Sequence, residues 1–245
     1  MISLCVPTRE RPDRFQTMFQ SAVKTAQGPI EVCAFLDAND QSFPRYPVDP
    51  RVRYGTGERP YVDGVLCTSE LWTSAARLAS GDILMLAADD ITFETHGWDT
   101  AVKAAFADVP DGILLVYADD GTRRKLPVLP FVSRRWVETV GEFTPAGFQG
   151  WYSDTWLWEI AAELRRVAFL ESVLIRHHQR EWQDMTRRAG EAARASEGGL
   201  EGIRVRFDND ENRARRAAQA ALLRAKMDGP DVLPDTLPRW LKELL

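Results

Sequence analysis

GDILMLAADDITFETHGWD, residues Gly81 to Asp99, is the stretch from which the fold of this chain can be read. Its apolar run, Ile83 to Ala88, is far shorter than the roughly 20 residues a membrane helix needs, and it ends abruptly in Asp89 and Asp90. That is the pattern of a buried strand delivering acids to a rim. Asp is disfavoured in strands, and adjacent like charges repel unless a cation lies between them, so the pair suits a divalent metal or metal-nucleotide site. A solvated turn whose Asp side chains cap the next element is the alternative. The rest of the chain has to decide between them.

Upstream, Ile2 to Val6 is an apolar strand. Pro7 breaks it, a polar loop Thr8-Arg9-Glu10-Arg11-Pro12 follows, and Phe15, Met18, Phe19, Ala22 and Val23 recur at helical spacing. Ile30 to Leu36 forms a second strand ending in Asp37-Ala38-Asn39-Asp40. A Pro-rich connection then leads to a short strand at Arg51 to Tyr54, a loop with Gly55, Gly57 and Pro60, and a helix from Leu66 to Ala79 that stops at Gly81.

Downstream the alternation continues. Trp98 to Phe106 reads as a helix and Gly112 to Ala118 as a strand ending in a second acid pair, Asp119-Asp120, which the basic turn Arg123-Arg124-Lys125 can neutralise. Pro127 to Ser133 reads as extended and Arg134 to Val140 as a short helix. In Phe148 to Trp158, Ser153 or Asp154 caps a helix running to Arg166. Phe169 to Ile175 is a strand followed directly by His177 and His178, an imidazole pair able to complete a metal site made by distant carboxylates, with His177 the first choice. Trp151, Tyr152 and Trp156 crowd around the single carboxylate of Asp154 and form an aromatic platform for a sugar ring or a base; the alternative is a capped helix with an aromatic core. In open α/β sheets, ligands bind beyond the C-terminal strand ends, so the strand-end acids converge by topology.

At 245 residues, 44% hydrophobic, the chain can bury a sizeable core as one large α/β domain or a domain with an appendage. The start MISLCVPTRERP lacks the apolar stretch of a signal peptide, which points to a cytoplasmic protein with no membrane insertion. Cys5, Cys33 and Cys67 show no CxxC spacing and read as reduced thiols, with no basis for structural zinc. Residues 1–179 hold 18 Lys/Arg against 24 Asp/Glu and residues 180–228 hold 11 against 9, which is no basic field for non-specific nucleic-acid binding. From Thr186 the composition shifts to Ala, Arg, Glu and Gly, with a helix expected from Asp210 to Met227 and a short amphipathic end, Trp240 to Leu245. The run Arg213, Arg215, Arg216 reads as a solvated face or an oligomer contact.

Taken in order, Pro7-Thr8-Arg9 with Arg11-Pro12, the strand ending at Asp37, Ala79-Ser80-Gly81-Asp82 leading to Asp89-Asp90, Gly97-Trp98-Asp99, Ser153-Asp154 and His177-His178 resemble the GT-A glycosyltransferases of the large inverting, family-2-like class, particularly short phage-type members. The resemblance covers Ile2 to about Arg187. It implies a GT-A catalytic domain over residues 1–187, a Rossmann-like mixed sheet flanked by helices, with a nucleotide-sugar half (1–99) and an acceptor half (100–187). Residues 188–245 would form a helical extension through which copies could associate. It implies a UDP- or GDP-sugar donor contacted by Pro7, Thr8, Arg9 and Asp37, with Arg11 a phosphate partner. Asp89, with Asp90 and one of His177 and His178, would hold Mn or Mg on the diphosphate. Asp154 falls where such enzymes carry the general base, and Trp151, Tyr152 and Trp156 would meet the acceptor, which is a virion protein, a modified DNA base or a glycan. A phage-encoded member would work in the host cytoplasm.

The chain departs from the family pattern twice. Ala87 stands where the first acid of Asp-x-Asp would be, and Ser153 stands where a glutamate often precedes the base. The second departure leaves a retaining mechanism open. Two other readings compete: a nucleotidyltransferase of the same fold, and a catalytically inactive glycan- or protein-binding module.

Overall fold

The computed structural model describes residues 1–59, 61–62, 65–121, 127–148, 151–178, 202, 204–205 and 207–228. The elements run β1 (Ile2–Thr8), α1 (Pro12–Thr25), β2 (Ile30–Asp37), β3 (Val52–Gly57), a two-strand hairpin β4 (Tyr61–Val62) and β5 (Val65–Leu66), α2 (Ser69–Leu78), β6 (Ile83–Leu86), β7 (Ile91–Phe93), α3 (Trp98–Ala107), β8 (Leu115–Asp119), β9 (Phe131–Ser133), α4 (Arg134–Val140), α5 (Ser153–Glu163), β10 (Val167–His177) and α6 (Asp210–Arg224). The sheet order is β3-β2-β1-β6-β9-β8-β10-β7. β1 lies parallel to β2 and β6, β2 to β3, and β10 to β8, whereas β9 is antiparallel to both β6 and β8. As a result β1, β2, β6, β8 and β10 all end on one edge of the sheet. The chain winds outward from β1 on one side and resumes at β6 on the other, so the β1–β6 crevice is the topological switch point.

The central strands are mostly apolar because both of their faces are covered. One core packs β1, β2 and β6 against α1 and α3 through Phe15, Met18, Trp98 and Phe106. The other packs the opposite face against α2, α4, α5 and α6 through Trp136, Trp156, Leu157 and Leu223. Helix α6 therefore contributes to the same core as the sheet. The expected domain division at 187/188 and the amphipathic end at 240–245 lie outside the described residues. Cys5, Cys33 and Cys67 are buried and form no disulfide with one another, and burial pushes the Cys33 thiol up to about 12.

The sequence reading missed β7 and ran the helix before Gly81 too early, since Val65–Leu66 belongs to the hairpin. β7 holds only Ile91, Thr92 and Phe93. It is a strand because β10 bends at a register shift between Leu170 and Leu174 and then pairs with it antiparallel, setting His177 opposite Ile91. No local pattern in three residues signals such a partner.

Gly81 opens the central stretch because a side chain would not fit: a Cβ there would lie 2.6 Å from both Met1 O and Ser3 Oγ. Beside it, the carboxylate of Glu31 is buried. It accepts from Ser3 Oγ at 2.6 Å, from Ser80 N at 2.5 Å and from Gly81 N at 3.1 Å, with Arg53 Nε at 3.2 Å. Burial alone would raise its pKa, but the Ser3 and Ser80 hydrogen bonds and the Arg53 charge hold it below the usual glutamate range. A depressed folded pKa gives stability that is complete above the unfolded value of about 4.3 and is lost as pH falls through the folded one. Glu31→Ala should cost about 3 kcal/mol at pH 7 by stranding buried donors. It should also remove part of the wild-type fall in Tm below about pH 4.3; an unchanged Tm at both neutral and acid pH would contradict this role.

Candidate functional site

Two residues in left-handed conformation shape the loop after β1 and the start of α5: Glu10 at φ 55° and Tyr152 at φ 67°. Non-glycine residues rarely adopt it, and such positions gather at binding sites. At Glu10 the effect is to send the arginines on either side to different acids. Arg9 Nη1 donates to Asp37 Oδ2 at 2.6 Å, while Arg11 Nη1 donates to Asp89 Oδ1 at 2.9 Å. Pro12, at the first position of α1, fixes the chain immediately after Arg11.

At the switch point, Thr8 from the end of β1 donates its Oγ1 to Asp89 Oδ2 at 2.7 Å. Both oxygens of Asp89 are thus engaged, and its side chain is 4% exposed. Burial pushes its carboxyl up, Arg11 opposes this, and the neighbouring charge of Asp90 adds to it. Asp90 points elsewhere: His177 Nε2 lies 3.3 Å from its Oδ1. Against the desolvation of its own burial, Asp90 is held below the usual carboxylate range by the His177 hydrogen bond and charge. The backbone ties the same groups together, with His178 N donating to Asp90 O at 2.9 Å and His177 N to Asp120 O at 3.1 Å. The His178 ring instead meets Thr92, Nε2 to Oγ1 at 2.8 Å. Asp119, from the second acid pair, accepts from Gly121 N at 2.8 Å, which is turn-forming work.

Asp154 lies in the first turn of α5, where its Oδ1 accepts from Thr155 N at 2.8 Å. Burial pushes its carboxyl up; the Thr155 N–H and the charge of His177 work against this. Helix α5 packs against β10, the strand that ends in His177. Ser153, beside it, is 1% exposed, and its Oγ has no hydrogen-bond partner among the described residues.

The aromatic cluster corrects one expectation. Trp156 offers no face to an acceptor: it is 1% exposed, donates its indole Nε1 to Gln219 Oε1 at 2.8 Å, and carries the Arg215 and Arg216 guanidiniums 5.3 and 5.1 Å from its ring centre. The α6 arginines read as a solvated face or oligomer contact thus partly pack inward, with Arg216 bridged to Glu159 at 2.7 Å and Arg215 to Glu142 at 2.7 Å. Tyr152 stacks one ring face on Phe207, with centroids 4.5 Å apart, and Trp151 is half-buried at the start of the same turn. Pro7, half-buried, pairs in register with Phe35 and immediately precedes Thr8.

Four site residues were not singled out from the sequence. Tyr46 OH lies 3.1 Å from Thr8 Oγ1 and accepts from Arg11 N at 3.2 Å. Asp40 accepts from Glu10 N at 2.9 Å, fixing the left-handed residue. Arg59 joins Arg9 on Asp37. Trp72 donates its indole N–H to Ala87 O at 2.7 Å, just before the acid pair. All are long-range contacts with no fixed spacing; only the strand-end location of Asp40 marked it.

The donors suit a divalent ion shared with a substrate. Among the described residues no group of three or more His, Cys, Asp and Glu forms a metal cage. Asp90 Oδ1 and His177 Nε2, 3.3 Å apart, nevertheless have about the spacing of adjacent ligands on an octahedral ion with bonds of ~2.1 Å. Ions of that kind take one or two protein carboxylates and complete their shell from phosphates and water.

No protein-family model and no curated protein matches the sequence. Solved structures do match in shape. Residues 1–349 of Staphylococcus aureus TarS align over 92% of this chain and 71% of theirs, at 12% identity and TM-score 0.52. The mannosyltransferase PcManGT of Pyrobaculum calidifontis, solved with GDP-Man and Mn2+, aligns over 91% and 85%, at 13% identity and TM-score 0.53. Glucosyl-3-phosphoglycerate synthase of Mycobacterium tuberculosis, solved with Mn2+, UDP and phosphoglyceric acid, aligns over 90% and 78%, at 15% identity and TM-score 0.55. With its curled mixed sheet, its helices on both faces and its strand ends gathered at one edge, the chain has the fold of the GT-A glycosyltransferases.

Proposed function

We propose that this chain is a metal-assisted glycosyltransferase that moves a sugar from a nucleoside-diphosphate donor to an acceptor hydroxyl. The observation that carries the reading is the convergence of Thr8, Arg11, Asp89, Asp90 and His177 at the β1–β6 switch point, with Asp154 within electrostatic reach of His177. Structural neighbours solved with Mn2+ and a nucleotide or nucleotide sugar support it.

In this reading Asp90 and His177 hold the ion, and Asp89 serves the site indirectly by fixing Arg11. An ion bound there supplies Lewis acidity and neutralises charge on the leaving diphosphate. Arg11 adds a second cation from the chain itself, and its planar fork suits phosphate oxygens. This matters because Ala87 contributes no carboxylate. Asp154 takes the proton from the acceptor hydroxyl as that oxygen attacks the anomeric carbon; its burial-raised pKa makes it a stronger base than an exposed aspartate. Single displacement of this kind inverts the anomeric configuration. Trp151 and Tyr152 remain the aromatic residues that meet the acceptor.

A panel of nucleotide sugars incubated with the protein and Mg2+ or Mn2+, read as released nucleoside diphosphate, tests the assignment. One donor should be hydrolysed at a rate that EDTA suppresses and fresh Mn2+ restores. Release of pyrophosphate from a nucleoside triphosphate, or no release and no thermal shift with any nucleotide, would overturn it.

A further inference from the structure

Tyr46 belongs to the connection between β2 and β3, yet its side chain reaches the switch point. It is 5% exposed, and its ring is wedged among Phe15 of α1, Phe43 and Tyr54 of β3, with centroids 5.4, 6.5 and 6.3 Å away. Its hydroxyl meets Arg11 N at 3.2 Å and Thr8 Oγ1 at 3.1 Å. Counting protons fixes the direction of each bond. Thr8 has one hydroxyl proton and gives it to Asp89 Oδ2 at 2.7 Å, so Tyr46 donates to Thr8 and accepts from Arg11 N. Burial pushes the Tyr46 hydroxyl above the usual tyrosine range, so it keeps that proton at neutral pH.

Four bonds then close a ring. From the Arg11 amide it passes through Tyr46 and Thr8 to Asp89 Oδ2, and from Asp89 Oδ1 it returns to Arg11 through Nη1 at 2.9 Å. Arg11 is thus held twice, by its backbone and by its side chain. The residue before it is held as well: Glu10 N donates to Asp40 Oδ2 at 2.9 Å, and Asp40 lies in the same β2–β3 connection as Tyr46. Two consecutive amides of the loop that carries Arg11 are therefore taken by side chains from one connection, and phosphate recognition at this point of the loop falls to the Arg11 guanidinium. We propose that Tyr46 is a positioning residue for Arg11, setting its guanidinium for the diphosphate before the donor arrives; this rests on the donor-site reading above. A guanidinium gains its two-point grip on phosphate only where its fork is aimed, and an arm aimed in advance loses less freedom on binding. Bonds in such a ring polarise one another, so removing one member loosens the rest. With its hydroxyl engaged on both sides, Tyr46 acts through Arg11 rather than on the donor itself.

Isothermal titration of the full-length chain with UDP, dTDP, GDP, CDP and ADP in MnCl2 first identifies the tightest nucleoside diphosphate. Tyr46→Phe, which removes one oxygen and keeps the ring among its aromatic neighbours, should weaken that nucleotide about tenfold and lower the Tm of the free protein by a few degrees. The same substitution made in an Arg11→Lys or Arg11→Gln background should lower Tm again but weaken the nucleotide by less than about twofold, because the group it positions is already gone. Lys keeps a positive charge beside Asp89 and serves if the Gln background does not fold. A residue with a merely structural role would move Tm in every background and leave affinity alone. Unchanged affinity in Tyr46→Phe, or the same tenfold loss in the Arg11 backgrounds, overturns the positioning role and leaves the glycosyltransferase reading standing. Failure of all five nucleotides to bind the wild-type chain overturns both.

Discussion

Asp154→Asn is expected to leave a folded protein that still binds its nucleotide donor, with sugar transfer reduced by about 10²- to 10⁴-fold, the range for losing a positioned general base. The fold should survive because the amide oxygen of Asn can still accept from Thr155 N, the bond that the carboxylate makes at 2.8 Å. Donor binding should survive because Asp154 belongs to α5 and the diphosphate groups to the β1 and β6 loops. The loss should fall on kcat with donor KM nearly unchanged, since the base acts only as the acceptor is deprotonated. A carboxyl raised by burial also moves the acid limb of the rate profile: the base works when ionised, so activity should fall with decreasing pH from a point above the ordinary aspartate value of about 3.9. Transfer at the wild-type rate would remove Asp154 from the chemistry, and a raised donor KM at full kcat would move it to binding.

The adjacent acids should separate just as clearly. Asp89→Asn removes the buried carboxylate charge that Arg11 meets at 2.9 Å, a change costing about 3–5 kcal/mol. For a chain of this size that lowers Tm by roughly 10 °C even without ligand. Asp90→Asn leaves the Arg11–Asp89 pair intact and should change the Tm of the free protein far less, while abolishing the part of the nucleotide-induced thermal shift that depends on Mn2+. The two variants thus part structural support from ion binding. A full Mn2+-dependent shift in Asp90→Asn, together with an unchanged free Tm in Asp89→Asn, would reverse the division of labour drawn here.

That division follows from contacts across the sheet. In sequence Asp89 and Asp90 are equivalent strand-end acids, and Asp89 reads as the better ligand. In the structure they diverge within the turn that joins β6 to β7: one carboxylate meets Thr8 and Arg11 from the β1 end, the other meets His177 at the end of β10. The aromatic stretch shows the complementary error. Three Trp in eight residues suggest a platform, yet Trp156 looks into the interior because α6, more than fifty residues on, brings Gln219 to its indole nitrogen. Nothing between 148 and 158 announces that partner.

By itself the sequence determined the α/β alternation, the apolar strands read at Ile2 to Val6, Ile30 to Leu36 and Ile83 to Ala88 to within two residues of their ends, the helix at Arg134–Val140 and the strand-end positions of Asp37, Asp89 and the histidine pair. It could do so because burial on two faces of a parallel sheet writes a continuous apolar run, and polar residues must resume where the run leaves the core. Tertiary structure alone decided which acid meets which cation, the recruitment of Tyr46, Arg59 and Trp72, the three-residue strand beside β10 and the inward turn of Trp156. Each of these depends on hydrogen bonds and packing between segments far apart in the chain, and such contacts impose no period that a local reading can detect.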